Sequence, residues 1–135
     1  MPTIRKNVEI DLILDSKLFT KTKTYGMAIW EDRHVRGRQF SIEVDVTFSF
    51  VSIVHTVAHE MVHVKQWALG EYYAILNRDE HYVFRKETID ANAVDYWELP
   101  WEIEAYGRSV GLVVTWIKSS GLADAPWAKE KIFLV

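Results

Sequence analysis

The chain changes its hydrophobic period once, and the change divides it into two sections. In the first section apolar and polar residues alternate. Val8, Ile10, Leu12 and Leu14 interleave with Glu9, Asp11 and Ile13, and Phe40, Ile42, Val44 and Val46 interleave with Ser41, Glu43, Asp45 and Thr47. Successive strand side chains point to opposite faces, so this pattern predicts strands with one buried face each. Residues 25–31 are a third strand candidate, and 32–38, with Gly37, supply the loop that leads into the strand at 39–47.

From residue 50 the period becomes helical. Residues 50–69 form a long apolar run broken by a few polar positions and ended by Gly70, a residue suited to the left-handed helix stop. Pro100 occupies a favoured first-turn position for a helix over 101–119, with Gly121 just beyond its end. The stretch 71–95 has no clear period, and 82–87 reads as a short strand. Strands followed by two helices predict an α+β fold, and no repeat or linker divides residues 1–135, so a single domain is expected.

Composition narrows the possible functions. At 49% hydrophobic and 26% charged residues, the 135-residue chain can bury a core without staples, and its formal net charge of −3 is too balanced for a generic nucleic-acid or membrane binder. Residues 1–40 carry eight Lys and Arg against five Asp and Glu. The cluster Lys17, Lys21, Lys23, Arg33, Arg36 and Arg38 is therefore the one place where nucleic acid is conceivable, although a solvated hairpin is the simpler reading. Arg5, Lys6, Glu9, Asp11 and Asp15 interrupt any signal-peptide core, and no later segment is both long and uncharged. A soluble, cytoplasmic protein without a membrane partner is expected. The absence of cysteine excludes disulfides, cysteine zinc fingers and a thiol nucleophile, leaving histidine and carboxylates as the strong metal ligands.

Those ligand types converge at His59-Glu60-Met61-Val62-His63. Residues four apart share a helix face, so His59 and His63 can offer two imidazole nitrogens to one zinc ion with Glu60 beside them, an arrangement used in hydrolysis. A shuffled chain of this composition would show the pattern about 0.01 times. The surrounding helix is apolar on most of its circumference, yet Ser52, His55, Thr56, His59, His63 and Gln66 form one polar stripe along it. A buried helix retains such a stripe where it lines a cavity, because isolated polar groups are costly in a core.

Catalytic zinc takes three protein ligands, and His₂Glu is a recurring set. The downstream candidate is Leu99-Pro100-Trp101-Glu102-Ile103-Glu104-Ala105-Tyr106. HExxH followed by a helix-borne ExxA resembles the glutamate zincins, and looks most like the small SprT-like or ImmA-like metallopeptidases of bacteria and phages, over roughly residues 40–115. The resemblance implies a zincin-like fold: a small antiparallel or mixed sheet packed on the active-site helix, with a C-terminal helix carrying a ligand. It also implies a peptide or protein substrate, Zn2+ held by His59, His63 and Glu102, and Glu60 as general base. Helix geometry favours Glu102 over Glu104: Ala105, Tyr106, Ser109, Val113 and Trp116 share its face, whereas Gly107, Arg108, Gly111, Thr115 and Lys118 surround Glu104, which can pair with Arg108 on a solvent-like face. Tyr106 stands where several of these families place an Asp or Asn supporting a ligand histidine, so Asp90, Asp95 or Glu98 is the expected substitute.

The other candidates have plainer roles. His55 reads as a cavity-wall histidine or a third metal-directed imidazole. His81, Tyr82 and Tyr106 are potential oxyanion donors more simply explained by packing, and the tryptophans, including Trp67, Trp97, Trp101 and Trp116, suit core and cleft walls. The strand at 39–47 is the expected cleft edge for an extended peptide. Two alternative readings remain at this level: a zinc-binding structural or interaction module without turnover, and a DNA-associated protease of the SprT-like kind, for which the chain offers no zinc ribbon.

Overall fold

A computed structural model describes residues 8–32 and 37–129. The alternating segments form a mixed three-stranded sheet from β1 (Glu9–Asp15), β2 (Gly26–Trp30) and β3 (Gln39–Asp45), in the order β1-β3-β2. β1 runs parallel to β3 in the register Ile10↔Phe40 and Leu12↔Ile42, while β2 is antiparallel to β3, with Ala28 opposite Ile42 and Trp30 opposite Phe40. A parallel neighbour requires a crossover, and the chain makes it through α1 (Leu18–Thr22), a short helix that the sequence pattern did not anticipate.

The central strand β3 is buried on both faces. Phe40, Ile42 and Val44 are at most 1% exposed and face the long helix α2 (Phe50–Ala68), packing with Val64 and Ala68. On the reverse, Ser41 Oγ donates to Glu31 Oε1 at 2.6 Å, and Asp45 Oδ2 accepts from the Phe19 N–H of α1 at 2.8 Å. With neighbours on both sides, β3 has no open edge, so the peptide-binding edge expected at 39–47 is not there. The same packing corrects the expectation for β1. Val8 and Ile10 reach the core, but Leu12 and Leu14 are 53% and 63% exposed, because α2 lies mainly across β2 and β3.

Both long helices begin and end where their local chemistry dictates. Ser49 caps α2 by accepting from the Ser52 N–H, and Gly70 follows at φ +71°, with the Glu71 N–H returning to Gln66 O. α3 (Pro100–Ser119) starts on its proline and closes at Gly121, φ +70°, by the same type of bond, Leu122 N–H to Ile117 O. α3 lies along α2 and buries Ala105, Ser109, Val113 and Ile117. Trp116 instead stands 43% exposed, with its ring 6.0 Å from that of Trp127.

Residues 71–95 hold a second sheet, of three antiparallel strands in sequence order: β4 (Tyr72–Ala74), β5 (His81–Phe84) and β6 (Glu87–Asp90). The single strand expected at 82–87 is in fact a hairpin. Its turn residues Arg85 and Lys86 both have left-handed backbones, φ +47° and +73°, without the glycine or asparagine that normally announces such a turn. Phe84, Leu99 and Trp101 form the core of this unit, and Tyr72 joins it to the first by stacking between Trp67 and Trp101, centroids 6.3 and 4.4 Å away. Among the described residues the fold is α+β, with two small sheets and three α-helices.

The described residues of the basic cluster do not gather into one patch. Arg33 and Arg36 lie outside the described residues. Arg38 sits at the start of β3, whereas Lys17, Lys21 and Lys23 follow the far end of β1, about 20 Å of strand away, and Lys21 is paired with Asp15 at 2.6 Å. Among the described residues no helix is long and apolar enough to cross a membrane.

β2 passes α2 so closely at Gly26 that an added β-carbon would overlap Thr56 Cγ2 and lie 3.2 Å from Glu60 Oε1. Gly26→Ala should therefore lower the unfolding free energy by roughly 1–3 kcal/mol, read from the urea midpoint. An unchanged midpoint would mean that strand and helix are not in contact there.

Candidate metal centre

The later part of the polar stripe of α2, His59, His63 and Gln66, lies in the seam between the two long helices. Gln66 meets Trp101 and Glu104, while His59, two turns earlier, meets Tyr106, so the helices run antiparallel. In this register the Glu102 carboxylate lies between both imidazoles, with His59 Nε2 3.1 Å from Oε2 and His63 Nε2 3.2 Å from Oε1. The two Nε2 atoms are 3.2 Å apart. All three side chains are about nine-tenths buried, and their ligand atoms fall within 4.8 Å of one another. Two imidazoles and one carboxylate converging in this way form a group that could hold a metal ion. Burial works to raise the Glu102 pKa, but the two imidazoles more than offset it and hold the carboxyl down to about 2. Burial likewise works against a charged His63, and the adjacent Glu102 carboxylate outweighs it, raising that pKa.

Glu60 stands beside this triangle without joining it. Burial pushes its carboxyl upward, partly opposed by His63 and His59, and the Ala28 N–H of β2 donates to it. A cavity of about 290 Å³ opens over the four residues. β2 and the segment leading into it form one wall through Thr24, Gly26 and Ala28; α2 is the floor from His55 to Trp67; Tyr72, Tyr96, Trp101 and Tyr106 stand around it. The Tyr25 carbonyl and Glu31 N–H are bonded to β3, so the intervening alternate residues Gly26, Ala28 and Trp30 turn their backbone groups to the open edge. The cavity's strand edge is thus β2.

Of the remaining candidates, Tyr106 faces the cavity with its ring 4.2 Å from that of His59, and its hydroxyl is 3.2 Å from that of Tyr96. His55 lines the cavity one turn before His59 and is 2% exposed, but stands apart from the three-residue ligand group. His81 and Tyr82 are on the second sheet and do not line the cavity: His81 lies 3.8 Å from Asp90, and Tyr82 packs on Trp101. The group behind His63 is Gln66, whose Oε1 is 3.0 Å from His63 Nδ1, and not the expected Asp90, Asp95 or Glu98. Gln66 belonged to the polar stripe, but nothing in its spacing distinguished it from the other members.

Glu104 is not the exposed residue its helix face suggested. It pairs with Arg108 at 2.9 Å as expected, yet its side chain is only 8% exposed, because Lys65 at 2.9 Å, Arg85 at 2.6 Å and Gln66 at 2.9 Å also converge on it. Burial raises its pKa, while the hydrogen bonds from Gln66, Lys65 and Arg108 prevail and lower it to about 2.

No family model, curated protein or solved structure matches this chain, so the chemistry of the site is read from its own residues.

A carboxyl depressed in the folded state stabilises the fold above its unfolded pKa and loses that contribution as it becomes protonated. Glu104→Gln should therefore lower the melting temperature most at neutral pH. The gap should narrow as the pH falls below about 4.5 and close near 2. A gap independent of pH would mean that the Glu104 charge contributes nothing.

Proposed function

We propose that this chain is a zinc-dependent peptidase of the zincin type, with His59, His63 and Glu102 as ligands and Glu60 as general base. The observation that carries this reading is the buried Glu60 carboxylate, in the same cavity as the His-His-Glu triangle yet outside it. A site that merely stored a metal would not need it, whereas hydrolysis does. When bound, zinc supplies an acidified water and the Lewis acidity that polarises a carbonyl. Glu60 accepts the proton of the attacking water and returns it to the departing amine. Its burial moves its proton affinity toward the neutral range where a general base operates, and the Ala28 N–H keeps its carboxyl oriented.

The cavity also suggests how a substrate would lie. With the Ala28 N–H taken by Glu60, the β2 edge offers the Ala28 carbonyl and the backbone groups of Gly26 and Trp30 to an extended peptide, in place of the β3 edge expected from sequence. One end of the floor is walled by Trp67, Tyr72 and Trp101, and among the described residues no lysine or arginine lines the cavity. It therefore favours an uncharged, apolar side chain near the scissile bond. The rival reading, a zinc module without turnover, leaves the buried Glu60 unexplained.

Purified protein should carry about one zinc per chain, and His59→Ala or Glu102→Ala should abolish tight binding in a chelator competition. Glu60→Gln should retain the metal while hydrolysis of a peptide library drops a hundredfold or more. No zinc uptake by the wild-type protein would refute the metal centre. Zinc uptake with equal cleavage by wild type and Glu60→Gln would refute the role of Glu60.

A further inference from the structure

His63 lies between two acceptors that compete for one proton. On its Nε2 side is the Glu102 carboxylate at 3.2 Å, and on its Nδ1 side Gln66 Oε1 at 3.0 Å. A neutral imidazole carries one N–H, and only the tautomer protonated at Nδ1 leaves an Nε2 lone pair free for a metal. Glu102 alone would draw the proton to Nε2, the unproductive position. Gln66 supplies the opposing pull.

The amide can do this because it cannot turn around. Gln66 is fully buried, and its Nε2 donates to the Trp101 carbonyl at 3.0 Å and to Glu104 Oε1 at 2.9 Å. Both partners are acceptors only, so a flipped amide would set its oxygen against two oxygens and its NH₂ group against His63 Nδ1. Glu104 is itself fixed through Oε2 by Lys65 from α2, Arg108 from α3 and Arg85 from the β5–β6 turn. The two acidic residues of the ExxA segment thus divide the work: Glu102 faces the metal position, and Glu104 anchors the amide behind His63.

We propose that Gln66, oriented by Glu104, is a positioning residue that holds His63 as the Nδ1–H tautomer and so sets the metal affinity of the site. Its effect on affinity rests on the zinc reading above; its effect on the tautomer does not.

The test uses Gln66→Met, which keeps the length and removes the acceptor. Long-range ¹⁵N–¹H spectra of the metal-free protein, at alkaline pH where the ring is neutral, should show His63 moving toward the Nε2–H form in Gln66→Met. Zinc affinity by chelator competition should fall roughly ten- to a hundredfold in Gln66→Met. Glu104→Gln should shift both readouts in the same direction by less, and it decides the matter if Gln66→Met does not fold. An unchanged His63 tautomer in the folded variants overturns the proposal, whatever the zinc affinity does. A shifted tautomer in a protein whose wild type takes up no zinc upholds the positioning role and defeats the proposed function instead.

Discussion

Two helices bury polar side chains against each other, and they cannot separate without stranding them. His59, His63 and Gln66 of α2 meet Glu102, Glu104 and the Trp101 carbonyl of α3 in a seam where an apolar contact would be ordinary. Each buried polar group left unpaired costs about 1–3 kcal/mol, so the seam fixes the register of the two helices more strictly than apolar packing would. Rotating α3 by one residue, about 100°, would carry Glu102 away from both imidazoles. The two sheets are arranged around that fixed pair. The first lies on α2 and brings the β2 backbone to Glu60; the second packs Phe84 against Trp101 and reaches the seam through Arg85.

Much of this arrangement was legible in the sequence because it depends on local rules. Three helix limits follow from Gly70, Pro100 and Gly121, and four-residue spacing places His59 and His63 on one face. The face of α3 that contains Ala105, Ser109 and Val113 placed Glu102 inward, beside both imidazoles. What escaped was set by distant contacts. The second sheet is built of three- and four-residue strands, too short to show a period, and its hairpin turns on Arg85 and Lys86 without any glycine signal. Periodicity paired Glu104 with Arg108 but had no means of showing that Lys65 and Arg85 would cover that face. Alternation marked β1 as a strand; how far α2 extends over it is a tertiary fact, and it leaves Leu12 and Leu14 in solvent.

That exposure also bears on the order of assembly and on local fraying. β2 and β3 pair across a short loop, whereas β1 joins β3 in parallel only after α1 and β2 have been laid down between them, a closure that costs more chain entropy. With little buried area to offset that cost, β1 is the strand expected to pair last and open first, and its amides should exchange with solvent sooner than those of β3. The His-His-Glu group lies by the opposite edge of the sheet, against β2. The weakest strand can therefore come and go while the residues that hold the site keep their places.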